Sequence, residues 1–499
     1  MMNAFKNILC VGAGALLPLA FAPEQWWWLA IISPTIFLYS LTDQLNPMIL
    51  TTPKRGALRG FLFGFSFFGI GASWVYISIH TYGNTNIFLA SLITFLFLLI
   101  LAAFFTLLGW LQCRFFKSPS LLWITFPSLG VLMEAFLGKF FTGFPWLFLG
   151  YSQTVSPLKG YIPLLGVYGI SFLVYFSSAL LFFCFFAKSF YKWISASILL
   201  LMFVGGYLLA PFQWTHADSD PLNIALIQGN IPQQLKWDAT YAQHIVDTYL
   251  NLSATYWQEE DLLVWPEGAI PVPLPISKPF TSVLDNFANH HQATLITGIP
   301  TQRQNSNTFY NSMLAIGQTQ GIYHKRLLVP FGEYVPLASI FRGLIGFFDL
   351  PMSDIVPGDS KQPPIIFKKD KIGTFICYEI AYPDRVLESL ANKDAFLAVI
   401  SDDAWFGHSW APAQHAQIAQ FAALATQRYL ALSSNNGITA IIDPHGKFIA
   451  KLPPFTSGVL TGTIIPHSGM TPWGDLGNLP LLILFLIFLL LAKAYHLNP

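Results

Sequence analysis

The sequence predicts a polytopic α-helical membrane protein, with eight transmembrane helices, that carries an α/β domain outside the bilayer. Two compositional facts and one pattern predict it. Charged residues make up 10% of the 499 positions and hydrophobic ones 54%, against about 25% charge in ordinary soluble domains. The 46 Phe and 15 Trp gather largely in long, nearly uncharged stretches. Between residues 212 and 475 that character lapses, and short apolar runs alternate with amphipathic ones. This composition excludes a soluble globular protein throughout, a disordered chain and a coiled coil. A formal net charge of +1 gives no reason to expect a nucleic-acid partner.

The apolar stretches run over 7–23, 25–42, 60–78, 87–113, 118–137, 161–187, 193–211 and 476–492. Each has about the 20 residues that span 30 Å of hydrocarbon as a helix. The first resembles a signal peptide, with Lys6, an apolar core and Ala20-Phe21-Ala22. A second apolar stretch follows at once behind Trp26, Trp27 and Trp28, so the pair is read as a retained hairpin.

Lys and Arg between the stretches set the orientation. With the N-terminus inside, the cytoplasmic segments carry Lys6, Lys54, Arg55, Arg59, Arg114, Lys117, Lys188, Lys192 and Lys493. The short outer loops carry only Lys139 and Lys159. Seven helices within 1–211 then deliver residues 212–475 to the outer face, and the segment 476–499 returns the tail to the cytoplasm. Glu134 stands near a helix end inside an apolar run and is read as snorkelling to the outer interface or as marking a polar pathway. The aromatic loop 139–159 reads as an interfacial belt or as a lipid-facing portal.

The outer segment can bury a full core as one domain. Strands are expected at 222–228, 262–265, 293–298, 309–316, 321–329, 371–377, 395–400, 430–433, 439–442 and 447–451. Helices are expected at 242–257, 280–291, 384–392 and 413–427. Strands alternating with helices mean an α/β fold whose central strands are buried on both faces.

Four Cys exclude a disulfide scaffold. Cys10, Cys113 and Cys184 fall in membrane helices, where a small apolar packing role suffices. Cys377 is the one Cys of the outer domain and stands where a strand ends and a turn begins. That position exposes a side chain and offers following N–H groups to an oxyanion. A thiol with an ordinary pKa near 8.5 needs a base and a stabilising charge. Glu267 in Trp265-Pro266-Glu267-Gly268 supplies a carboxylate just after a strand, and Lys325 precedes Pro330-Phe331-Gly332-Glu333. A buried packing thiol, a turn carboxylate in water and a solvated strand Lys are the plainer readings of these three. His408 or His415 with Asn435 offers a rival Cys–His–Asn arrangement. The 11 His show no metal-ligand spacing, so no metal is expected.

Together, Glu267 in W-P-E-G, Lys325 in H-K-R-L-L-V-P-F-G-E and Cys377 in I-C-Y-E resemble the Glu–Lys–Cys triad of the nitrilase, or carbon–nitrogen hydrolase, superfamily. The resemblance covers 222–465. With seven helices before it and one after, the chain resembles the bacterial apolipoprotein N-acyltransferase family. The strings V-P-F-G-E-Y-V-P-L (329–337), D-A-W-F-G (403–407) and S-N-N-G (434–437) are also similar to that family.

This resemblance implies an αββα sandwich with the triad at strand ends. It implies a further essential carboxylate at Glu333 and site-lining positions at Trp237, Tyr378, Glu379 and Phe406. The chain departs from the family at Asp402, where Asn is usual. The implied reaction moves an acyl chain from a membrane phospholipid to a diacylglyceryl apolipoprotein through a Cys377 thioester, with no cofactor. It implies a monomer in the bacterial inner membrane. A membrane-bound amidase and a transporter-like bundle with an outer sensing domain are the alternative readings.

Overall fold

The computed structural model describes residues 2–44, 46–304, 306, 308–330, 332–334 and 355–497. Of the motif 329–337, Phe331 and residues 335–337 lie outside them. The chain divides into two compact units. One holds residues up to Val75, Phe88–Phe212 and the chain from Asp475 onward; the other holds Tyr76–Ile87 and Gln213–Gly474.

The first unit is helical. Five described helices have the length and apolarity to cross a membrane: Asn3–Ala20, Ile87–Phe115, Pro119–Leu137, Pro157–Phe186 and Ser189–Leu209. A sixth span results if Pro53–Gly71 and Trp74–Tyr82, bent by 52°, are one. Leu29–Ser40 and Leu479–Tyr495 are apolar but shorter. The eight stretches of the sequence thus map onto helices of unequal reach. The Trp26–Trp28 turn shortens the second, leaving 12 residues from Leu29, about 18 Å at 1.5 Å per residue. The third breaks near Ser73, in a stretch that holds Gly69 and Gly71 as well, the small-residue composition at which helices bend.

Small residues set one close helix contact. Gly56, Gly60 and Gly64 recur every fourth residue on Pro53–Gly71. A Cβ on Gly60 would lie 2.0 Å from the Phe105 carbonyl oxygen, and one on Gly56 2.5 Å from that of Gly109. Backbones approach this closely in membranes because only small residues permit it. Glu134 is buried rather than snorkelled, its carboxylate accepting from the Leu149 amide at 3.1 Å. In the loop after it, Trp146, Phe148 and Tyr151 are buried while Phe141 stands out. Cys10 and Cys113 are buried and Cys184 half-buried, all three as free thiols.

The second unit is a two-sheet sandwich. Its strands are β1 (Thr215–Ala217), β2 (Leu222–Gln228), β3 (Leu262–Val264), β4 (Thr294–Gln302), β5 (Phe309–Gly317), β6 (Gly321–His324), β7 (Ile365–Phe367), β8 (Asp370–Ile376), β9 (Phe396–Ser401), β10 (Leu430–Ser434), β11 (Thr439–Ile442), β12 (Phe448–Leu452), β13 (Gly458–Ile464) and β14 (His467–Gly469). One sheet runs β13-β2-β3-β4-β5-β6, the other β12-β11-β10-β9-β8-β7, and β1 pairs with β14. The middle strands β2–β3–β4 and β8–β9–β10 are parallel. They read as apolar runs because both faces are covered; every residue of β9 and β10 is buried.

Helices close the outer faces. Leu274–His290 packs on β4 and β5, and Ala411–Thr426 on β10 and β11. Under the first, Ile245, Tyr249, Leu263, Trp265, Leu284 and Leu295 form one buried cluster. The Trp265 indole N–H donates to Ser253 Oγ at 2.8 Å, satisfying the polar end of a fully buried ring. Between the sheets, Ser433 Oγ donates toward the carbonyls of Ile227 and Val264 at 3.2 and 3.0 Å. The result is an αββα sandwich.

The segment Tyr76–Ile87 belongs to this unit. Ser78 Oγ donates to the Trp405 carbonyl at 2.8 Å, and the Tyr82 and Trp405 rings meet edge to face at 6.2 Å. Gly407, at φ +53°, has Ile77 and Tyr82 against it.

Candidate active site

The parallel strands end at one edge, where side chains from both sheets converge, as ligand-binding residues do in open α/β sheets. Glu267 follows β3, Lys325 follows β6, Cys377 follows β8, Asp402 follows β9 and Asn435 follows β10.

Glu267 sits on a tight crossing of backbone. A Cβ on Gly298 would lie 2.6 Å from Glu267 Cα, so only glycine lets β4 pass. Its carboxylate is held from three sides. Asn311 Nδ2 donates to Oε1 at 2.6 Å, Lys325 Nζ to Oε1 at 3.2 Å, and the Asp402 amide to Oε2 at 3.0 Å. Glu333 shares two of these donors: Asn311 at 2.7 Å and Lys325 at 2.9 Å, both to Oε1. Its Oε2 accepts from the Val329 amide at 2.8 Å. Lys325 is thus a buried ammonium bridging two carboxylates. Burial opposes its charge, but Glu267 and Glu333 hold its pKa well above the ordinary value.

The expected strand through residue 329 stops at His324. The reason is Glu379. This buried carboxylate accepts from the Arg326 amide at 2.7 Å, the Leu327 amide at 3.2 Å and the Tyr323 hydroxyl at 2.8 Å, drawing the chain off the sheet. It also accepts from the Ile376 amide at 2.9 Å. Glu379 therefore ties the segment of Lys325 to that of Cys377 and is fully withdrawn from solvent, where the resemblance placed it in the lining.

Cys377 opens a 3₁₀ turn, Cys377–Ala381, with φ +53°. A non-glycine residue in the left-handed region is held there by its surroundings, and such residues cluster at active sites. Burial and the Glu267 carboxylate push its thiol well above the ordinary value, against the pull of Lys325. Such a thiol needs a base.

Trp237 lies against Gly268, and Phe406 is half-buried at the end of the turn Asp403–Phe406. The Tyr378 and Tyr382 rings meet edge to face at 5.2 Å. Asp402 is buried and paired with Lys236 at 2.5 Å. His415 contacts the Cys377 carbonyl and Asp403, and His408 stacks on Phe455. Asn435 donates to Asp402 and Ile231.

Asn311, Lys236 and Asp403 escaped the sequence reading. Asn311 lies inside a strand and carries no motif; only its two-residue spacing from buried Met313 and Ala315 on β5 marks it as inward.

Comparison with known proteins defines the class and then the family. Residues 223–469 match the carbon–nitrogen hydrolase model and residues 13–180 the apolipoprotein N-acyltransferase N-terminal domain. Coxiella burnetii apolipoprotein N-acyltransferase is 44% identical over 98% of this chain and 99% of its own. That of Pseudomonas syringae is 39% identical over 96% of this chain and 95% of its own. Among solved structures, Saccharomyces cerevisiae Nit3, of the nitrilase superfamily, is 19% identical with a TM-score of 0.38, covering 50% of this chain and 93% of that one. The sandwich is a carbon–nitrogen hydrolase domain. The chain as a whole belongs to the apolipoprotein N-acyltransferase family, and it is an acyltransferase of the membrane.

Proposed function

We propose that the chain moves a fatty acyl group from a membrane phospholipid to the α-amino group of the N-terminal diacylglyceryl-cysteine of apolipoproteins. The observation that supports this reading is Lys325, bridging Glu267 and Glu333 within electrostatic reach of the strained Cys377.

Glu267 takes the thiol proton, and the sulfur attacks the carbonyl carbon of the phospholipid ester. Lys325 and the Tyr378 N–H stabilise the oxyanion. The intermediate collapses, Glu267 returns the proton to the departing alkoxide, and lysophospholipid leaves behind a Cys377 thioester. The acceptor amine then attacks the thioester carbonyl, its proton passes through Glu267 to the leaving sulfur, and an amide results. Two half-reactions through one acyl-enzyme make the kinetics ping-pong.

The distribution of Lys and Arg supports both termini in the cytoplasm and residues 212–475 on the outer face of the bacterial inner membrane. In this division 1–211 and 476–499 form the membrane part. Both substrates are lipids, which accounts for more helices than tethering needs.

Incubating the full chain with a phospholipid of defined acyl length, without acceptor, is expected to add that acyl mass to the Cys377 peptide. Cys377→Ser should add nothing and turn over nothing, since a hydroxyl is far harder to ionise. An unmodified Cys377 peptide, or wild-type turnover in the serine variant, would sink the thioester.

A further inference from the structure

We propose that His415 is a buried imidazolium that fixes the Cys377–Tyr378 peptide and thereby aims the oxyanion-stabilising Tyr378 N–H. It is a positioning residue, and this role rests on the reading above.

Each nitrogen of the ring faces an acceptor. Nδ1 lies 3.0 Å from Asp403 Oδ1, and Nε2 lies 3.2 Å from the Cys377 carbonyl oxygen. A neutral imidazole has one N–H and one lone pair, so it would set that lone pair against an oxygen. Only the doubly protonated ring donates to both. Asp403 is built to answer the charge. Its Oδ1 also accepts from Ser401 Oγ at 2.8 Å and its Oδ2 from Ser434 Oγ at 3.2 Å. A Cβ on Gly437 would lie 2.1 Å from Asp403 Oδ2, so the glycine of S-N-N-G leaves room for the carboxylate. Two motifs left idle by the triad, D-A-W-F-G and S-N-N-G, thus supply the anion of this pair and the pocket that holds it, while the cation comes from the helix Ala411–Thr426.

Peptide geometry gives the pair its effect. In a trans peptide the C=O and the following N–H point in opposite directions. A cation holding the Cys377 carbonyl from behind therefore directs the Tyr378 N–H away from itself. Polarising that carbonyl also strengthens the N–H as a donor. The same grip helps hold Cys377 at φ +53°. Charge is sustained by the surroundings. Burial disfavours it, but Asp403, the Cys377 carbonyl and more distant Glu267 raise the His415 pKa above the ordinary value. Its own helix, Ala411–Thr426, carries no other charged group.

The test uses the full chain in detergent and two reagents on Cys377. A p-nitrophenyl ester acylates the thiol and needs the oxyanion site; iodoacetamide alkylates it and does not. Using an activated ester separates this inference from the phospholipid reading, which fails only if wild type reacts with the ester and never with phospholipid. His415→Gln is expected to slow acylation at saturating ester about 100-fold, with half-saturation unchanged and alkylation within threefold. Wild-type acylation should decline as pH rises through the His415 titration, and the glutamine variant should show no such decline. If His415→Gln does not fold, Asp403→Asn keeps the ring and removes its partner, and the decline should move to lower pH. Acylation within threefold of wild type, equal losses with both reagents, or an unmoved decline in Asp403→Asn would overturn the proposal.

Discussion

Lys236 Nζ and Asp402 Oδ2 lie 2.5 Å apart, with both side chains almost wholly withdrawn from solvent. Lys236 also donates to the Glu267 backbone carbonyl at 2.6 Å, and the Asp402 amide donates to the Glu267 carboxylate at 3.0 Å. The pair therefore holds Glu267, the proposed base, at both ends. Asp402, where the resemblance implies Asn, accepts hydrogen bonds from Asn435 and Ala404, and Lys236 answers its charge. Lys236→Met strands a buried carboxylate, which typically costs about 3–5 kcal/mol. Thermal unfolding of the full chain should show that loss, and Lys236→Met with Asp402→Asn should recover much of it. Equal melting temperatures for wild type and the single variant would remove the pair from the account.

Lys325→Arg should fail although charge is kept. The ammonium bridges Glu267 and Glu333 from a fully buried position, and a planar guanidinium cannot occupy that point. Losing an oxyanion donor costs about 3–4 kcal/mol, a fall of roughly 100- to 1000-fold in acylation rate. Turnover within a few-fold of wild type would show that Lys325 is not beside the reacting atoms.

Glu267→Gln separates base from nucleophile. At neutral pH the variant should form little acyl-enzyme. Removing the carboxylate lifts one of the three upward pushes on the Cys377 thiol, while burial and the Asp403 carboxylate remain. Rescue should therefore begin only as pH climbs past the ordinary thiol range of about 8.5, and it should be partial, because the proposed mechanism also has Glu267 move the proton in aminolysis. Normal acylation at pH 7 would pass the role of base to Glu333.

Asp394 sets a pH dependence of stability. Burial pushes its carboxyl from 3.8 up to about 7, against the pull of Lys371 and Arg428. Below the unfolded value both states are protonated and nothing is lost. Between the two values the unfolded chain ionises first, so stability falls, and the full cost stands above the folded value. Asp394→Asn should raise the melting temperature at pH 8, by a gain on the order of a few kcal/mol, and leave it nearly unchanged well below the unfolded value of 3.8. An equal shift at both pH values would exclude the linkage.

The α/β order of the outer segment was legible because its strands are buried on both faces and read as apolar runs. Cys377, Glu267 and Lys325 were legible because each follows such a run within a motif. What escaped was long-range. Nothing local tells that Asn311 on β5 reaches two carboxylates, or that Glu379 accepts from the amides of Arg326 and Leu327. The third apolar stretch misled for a related reason. Hydropathy carries it smoothly through residue 78, whereas Ser78 and Tyr82 bond to a loop more than 300 residues away.

That contact changes how the enzyme can be taken apart. A fragment of 213–474 would carry all of Glu267, Lys325 and Cys377, yet it would leave the Trp405 carbonyl and the face of Gly407 without Ser78, Ile77 and Tyr82. The turn so uncovered is capped by Asp402, whose amide holds the Glu267 carboxylate. The hydrolase sandwich is not a cassette that could be cut out at its two ends and grafted to another anchor. Its inheritance is tied to a dozen residues encoded far upstream.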